Sequence, residues 1–401
     1  MITIECVSRR RETRCKVLSG WFCRRSFTLI ELLVAISIMA ILGTMTMIAL
    51  AGAQRDAEVS RTRSTIRKIN EIILAKWEEY ATRQLPIELP VLALVPNPNA
   101  GGTIPVAGQE IARMRMVGLR DLMRMEMPDR ITDILWSPTL LNIEVRLNNN
   151  RSLYPLGSLP YPSLWAGYRE RFVGFAAPAT FSPPQNLGPA TSLWSPANAS
   201  AELLYFVVAS SSSSGIGGLE TFRPTELGDT DGDGFPEFID AWGRPIFWIR
   251  WPAGADWSEI VASAAADSQL LENRGGDAMD VTKSDWRYLD DIAGTQASRN
   301  NNPFTLQPLI LSAGPDGAFD IVFDTTNIDN SAAPVIYATQ RPTFIIPGPY
   351  VHGSVNTYFY PDPYRAYDVG GTMIKLGMVY DYDPNGSHVD NVTSHDTLFD
   401  Q

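Results

Sequence analysis

Between Asp229 and Asp240 the chain reads Asp-Thr-Asp-Gly-Asp-Gly-Phe-Pro-Glu-Phe-Ile-Asp, which puts acids at positions 1, 3, 5, 9 and 12 of the stretch and a glycine at position 6. Carboxylates that alternate through a tight turn can be aimed at one point, and calcium takes roughly six to eight oxygen ligands in such a loop. Three aspartates at close range repel one another, and a cation relieves that repulsion. Asp229, Asp231, Asp233 and Asp240 are therefore expected to ligate calcium, with the Phe235 carbonyl as the main-chain ligand. Glu237 would bind directly or through water, and Gly234 supplies the bend. The competing reading is a solvated turn whose acids only keep strands apart.

Glu31 stands out by its setting instead. From Phe27 to Ala53 run 27 residues in which Glu31 is the sole charge. As a helix this run spans about 30 Å of hydrocarbon with some tilt. A carboxylate inside it costs roughly 2.5 to 3.5 kcal/mol at the bilayer centre, so Glu31 needs a partner. No proline occurs from Phe27 to Leu85, and Val59, Ile66, Ile69, Ile73, Trp77 and Tyr80 recur at helical spacing among charged residues. One helix of about 88 Å is expected, transmembrane over 27–53 and amphipathic over 54–85. Gly43 and Gly52 are its weakest points, and Pro86 and Pro90 end it.

Phe27-Thr28-Leu29-Ile30-Glu31, preceded by a basic leader, resembles the N-terminus of type IV pilins and type II secretion pseudopilins. The resemblance implies that a prepilin peptidase cuts between Ser26 and Phe27 and methylates the new Phe27 amine. It also implies that Glu31 meets the amine of a neighbouring subunit. The family prefers glycine where this chain has Ser26, also a small residue. Residues 1–26 carry Arg9, Arg10, Arg11, Arg14, Lys16, Arg24 and Arg25 against Glu5 and Glu12, a net charge of +5. Losing them moves the formal charge from -11 to -16 over 375 residues. The basic leader keeps the N-terminus cytoplasmic and the chain beyond the apolar run is exported, which places the protein in the inner membrane as a single pass with a periplasmic or extracellular head. An acidic exported body argues against nucleic acid as a partner. Cys6, Cys15 and Cys23 all lie in the leader, so the remainder has neither disulfides nor thiolate metal sites.

Beyond the helix, residues 86–200 read as a loop-rich insertion that contains a helix at about 109–127. Its methionine stripe suits core or subunit contact better than a cofactor. Ala201 to Ala209 is helix or buried strand, Ser210 to Gly218 a flexible loop, and Ile246 to Trp251 a strand. Pro308 to Ala313 and Ala318 to Phe323 read as strands around the turn Gly314-Pro315-Asp316-Gly317. The pair Asp240-Ala241-Trp242-Gly243-Arg244-Pro245 and Leu311-Ser312-Ala313-Gly314-Pro315-Asp316-Gly317 looks like the motif pair in the heads of major pseudopilins. That likeness implies a calcium-binding head. The loop from Asp229 is similar to dockerin-like loops, which also close on an aspartate. The expected fold class is α+β: a long N-terminal helix packed on a C-terminal antiparallel β-sheet head over 201–401, with large loop insertions.

The chain lacks a Ser, His and acid arrangement with a nucleophile motif, a phosphate-binding glycine loop and a paired-cysteine zinc site. His388 and His395 form a polar tail cluster without four metal ligands, and His352 stands alone. The expected role is a structural filament subunit, not an enzyme, whose partners are the prepilin peptidase, other pilin-like subunits and the inner membrane. Two alternatives stay open. One is an exported calcium-binding protein or enzyme with a conventional or twin-arginine signal, from Arg24-Arg25-Ser26-Phe27 and the cleavage-like Ala49-Leu50-Ala51. The other is a membrane-anchored binding module that takes a secreted substrate or a glycan through Trp242, Trp248, Trp251 and Trp257, residues that also suit a core.

Overall fold

The computed structural model describes residues 28–86, 94–96, 103–105, 108–130, 133–134, 140–147, 150–172, 198–213, 216–255, 277, 279–285, 303–319, 321, 363–364, 367–369, 372–374, 376–378 and 390–395. Ser26, Phe27, Trp257, His352 and His388 lie outside these residues. The chain divides between Arg55 and Asp56 into two units.

Helix α1 (Leu29–Thr82) is unbroken for 54 residues. Between Leu29 and Leu50 every large apolar side chain is exposed. This is the one helix among the described residues that is long and apolar enough to cross a membrane. The helix stops at Thr82, three residues short of the expected Leu85. The Arg83 N–H turns back to the Tyr80 carbonyl, the Arg83 side chain is held by Glu126, and Pro86 disfavours helical geometry at Leu85.

In the second unit, β1 (Leu94–Pro96) and β2 (Thr103–Pro105) form a small hairpin, and α2 (Gly108–Glu126) follows. Then come a longer hairpin of β3 (Leu140–Leu147) and β4 (Asn150–Ser158), helix α3 (Ser163–Phe172) and helix α4 (Ala199–Ala209). Short strands complete the unit: β5 (Ser212–Ser213), β6 (Ile216–Gly217), β7 (Leu227–Gly228), β8 (Glu237–Phe238), β9 (Phe247–Ile249), β10 (Leu309–Ser312), β11 (Tyr367–Val369), β12 (Thr372–Ile374) and β13 (Val392–Thr393). The class is α+β. Among the described residues the strands form six small antiparallel sheets instead of one continuous sheet. Among the described residues, the segment from 86 to 200 holds the expected helix as α2 and, besides it, two hairpins and helix α3 that its loop-like composition concealed.

The three-stranded sheet β13-β10-β9 is buried on both faces by strict alternation. Trp248 and Ile310 join the cluster that holds α1, α2 and α4, whereas Phe247, Ile249, Leu309 and Leu311 join a second cluster with Ile321 and Leu376. Register pairs Leu309 with Ile249 and Leu311 with Phe247. Of the expected strand Ala318 to Phe323, Ala318 and Phe319 lie in no strand, Ile321 forms a single β-bridge, and residues 320, 322 and 323 lie outside the described residues; β10 itself pairs with β13 and β9. The expected stripe of α1 is found: Ile66, Ile69, Ile73, Trp77 and Tyr80 are all buried. The methionines of α2 are core as well. Its arginines are not solvated: Arg120 pairs with Asp277 and Asp285, and Arg124 with Asp121.

Candidate functional site

Two places gather the chemistry singled out in the sequence. The first is the start of α1. Both the Thr28 N–H and the Thr28 hydroxyl donate to Glu31 Oε2 at 2.9 Å, and the Glu31 N–H donates to Thr28 Oγ1 at 3.3 Å. This reciprocal pair is a capping box, in which the acid satisfies backbone and hydroxyl groups that the helix end would otherwise leave without partners. The spacing Thr28-x-x-Glu31 is the local sequence signal for this cap. Glu31 is exposed, so its carboxylate is held in place yet open to a second donor.

The second place is the tip of the β7–β8 hairpin. Leu227 pairs with Phe238 and Gly228 with Glu237, so residues 229–236 form the closed end that carries the aspartates. Asp229 accepts the N–H groups of Gly232 at 2.7 Å and Gly234 at 3.0 Å. Asp233 accepts the Phe235 N–H at 2.9 Å, and Asp231 the Asp233 N–H at 3.4 Å. Gly234 has φ +94°, a left-handed geometry that side chains disfavour. The Phe235 ring stacks on Phe172 of α3 at 4.8 Å and thereby fixes the loop to the helical layer.

Carboxylate oxygens of Asp229, Asp231 and Asp233 lie within 4.8 Å of one another, and so do those of Glu202, Asp231 and Glu237. Glu202 sits in the first turn of α4 and was not anticipated. No local pattern in Ala199–Ala209 marks it as a ligand; only the fold brings it to the loop. Its side chain is fully buried, and neither of its oxygens has a donor group among the described residues; the Asp233 carboxylate stands close to it instead. Burial, reinforced by Asp233, Asp231 and Glu237, pushes its carboxyl up to about 10. Glu237 is also buried, which raises its carboxyl, but it accepts the Thr230 N–H at 2.9 Å and the Asn198 side-chain amide at 3.0 Å.

Asp240 belongs to neither acid group. Its Oδ1 accepts the N–H groups of Trp242 and Arg244, both at 2.9 Å, and its Oδ2 accepts the Ser312 hydroxyl at 2.6 Å. The Arg244 guanidinium donates to the carbonyls of Gly314 at 2.6 Å and Pro315 at 3.1 Å. The two motifs paired in the sequence therefore meet, and they lock the chain entering β9 to the chain leaving β10. Gly317 sits there at φ +83°, a left-handed geometry that side chains disfavour, and a Cβ would also press on the Arg244 guanidinium. Trp248 and Trp251 are buried, and Trp242 packs against the same core. His395 lies beside the Pro308 carbonyl, and Ser394 accepts the Ile310 N–H, so this part of the tail edges the sheet.

Residues 21–47 match the family model of the prokaryotic N-terminal methylation motif. The motif and the long apolar helix that continues from it make the chain type IV pilin-like. No curated protein and no solved structure gives a significant match.

Proposed function

We propose that the chain is a structural subunit of a type IV pilus-like or type II secretion pseudopilus filament and has no enzymatic role. The observation that carries this is the apolar first half of α1, long enough to span a membrane, whose one charge, Glu31, stands at its start directly inside the methylation motif. In this role prepilin peptidase removes residues 1–26, Phe27 becomes the methylated N-terminus, and Glu31 exchanges part of its Thr28 contact for the Phe27 amine of a neighbour. The apolar half of α1 holds the subunit in the inner membrane before assembly and forms the filament core after it, while the head faces the periplasm or the exterior. Calcium at the Asp229–Glu237 loop stabilises that head; the alternating carboxylates and their preset turn support it.

Mass spectrometry of the chain expressed with a prepilin peptidase tests this proposal. The expected product begins at N-methyl-Phe27. A mature chain that begins after Ala51 would mark a conventional secretory signal and overturn it. Glu31→Ala should leave membrane insertion intact and abolish filaments.

A further inference from the structure

We propose that the cation site of the head is closed from the side by Glu202, so that one calcium ion sits between the first turn of α4 and the acidic hairpin tip, bound by Glu202, Asp231 and Glu237. The proposal rests on the calcium reading of the loop and changes where the ion lies and what it ties together. An acidic surface loop alone would not support it, since exposed acids are common and those of the tip already accept loop N–H groups. Glu202 is different. It is fully buried, neither oxygen has a donor group among the described residues, and it faces other carboxylates: those of Asp231 and Glu237, whose oxygens lie within 4.8 Å of its own, and that of Asp233.

Buried carboxylates without donors are rare in stable folds, because the lost hydration is not replaced. Three oxygens within 4.8 Å of one another share a centre no more than about 2.8 Å from each, so shifts of a few tenths of an ångström bring all three to the calcium–oxygen distance of about 2.4 Å. Oxygen-only donors select a hard cation, and the irregular set from one helix and one hairpin suits calcium better than the octahedral shell of magnesium. The support around the site is built as well. Asn198, immediately before α4, donates to both Glu237 and Thr230, which fixes the helix start against the hairpin. Ser200 accepts the Trp248 N–H and donates to the Trp248 carbonyl, which ties the same turn to β9. An ion at this point therefore bonds the tip to the helix that rests on the central sheet.

The experiment uses the full chain in detergent micelles, with calcium chloride titrated after removal of metal by a chelator. Calcium affinity is measured calorimetrically for the wild type, Glu202→Gln, Asp231→Asn and the exposed control Glu170→Gln. The expected result is calcium binding in the wild type and control, and a loss of at least about tenfold in affinity for both Glu202→Gln and Asp231→Asn. Amide exchange of the unmutated chain provides a second measurement that no folding defect can confuse. Calcium should slow the amides of Ala201–Leu204 together with those of Gly232–Phe235. If calcium binds and Asp231→Asn weakens it, while Glu202→Gln binds like the wild type and only the loop amides are slowed, the Glu202 site is wrong and the loop site stands. If the wild type binds no calcium at millimolar concentration, the calcium reading and this inference fall together.

Discussion

Glu126, at the C-terminal end of α2, accepts the Tyr80 hydroxyl at 2.7 Å and both Arg83 terminal nitrogens at 2.6 and 2.7 Å. This one carboxylate fastens the end of α1 to α2. Tyr80→Phe removes a single hydrogen bond to a charged acceptor, worth about 1.5–3 kcal/mol, and the lower end applies because the Arg83 fork remains. Glu126→Ala removes the acceptor of all three bonds. The Tyr80 hydroxyl is fully buried and then loses about 1–3 kcal/mol as an unsatisfied donor. The Arg83 side chain is 38% exposed and can rehydrate, so the full penalty of a broken buried ion pair is not reached. These terms sum to about 3 kcal/mol. Urea unfolding of the full chain in micelles, followed by tryptophan fluorescence, measures both variants and their combination. In the Glu126→Ala background the hydroxyl has nothing to bind, so Tyr80→Phe should there be neutral or stabilising. An equal cost for Tyr80→Phe in both backgrounds would refute the joint.

Two further outcomes are expected in the same assay. Ser312→Ala takes the donor from Asp240 Oδ2 and should cost about 1–2 kcal/mol while calcium affinity stays unchanged; a fall in affinity would return Asp240 to the metal site. Lys76, whose nearest partners are the Glu126 carbonyl and the Ser210 hydroxyl, is drawn by burial from the ordinary 10.5 down to about 8, despite the attraction of Glu126 and Glu79. Between those two values the unfolded chain holds more protons than the folded one, so stability climbs with pH across that window. Burial pushes Tyr168 up to about 12 and so opposes the climb only above about pH 10. Lys76→Met should flatten the climb and add on the order of 2–3 kcal/mol near neutral pH, and an unchanged pH profile would refute the assignment.

The features legible in the sequence are those that repeat locally. The face of α1 could be read from Ile66, Ile69, Ile73, Trp77 and Tyr80 because helical spacing is a property of neighbours. The turn at Gly314–Gly317 was legible from its residues, yet its strand partners were not. β10 pairs with β9 and β13, both distant in the chain, and an apolar run carries no label for its partner. The arginines of α2 show the same limit from the polar side. Arg120 is buried against Asp277 and Asp285, which no local pattern connects to it. Glu202 escaped for that reason too. Within Ala-Glu-Leu-Leu-Tyr-Phe-Val-Val-Ala one acid looks like a solvent-facing interruption, and the fold turns it inward toward the hairpin tip.

The same division of labour explains how α1 is registered on the head. The apolar stripe chooses which face of the helix is buried, but apolar contacts are non-directional and tolerate sliding. Direction comes from acids at the two ends of the stripe. Glu226 accepts the Thr65 hydroxyl at 2.8 Å and Lys68 at 2.9 and 3.0 Å, and Glu126 takes Tyr80 and Arg83. A slide of one residue rotates a helix by about 100°, which would carry Thr65 and Tyr80 away from their acceptors at once. Glu226 would then keep only its own Arg223 N–H and Glu126 would be buried without a donor, so the cost falls on both ends together. In the proposed filament role, with one half of α1 held by neighbouring subunits, this joint in the other half would carry any pull along the helix to the head without slip.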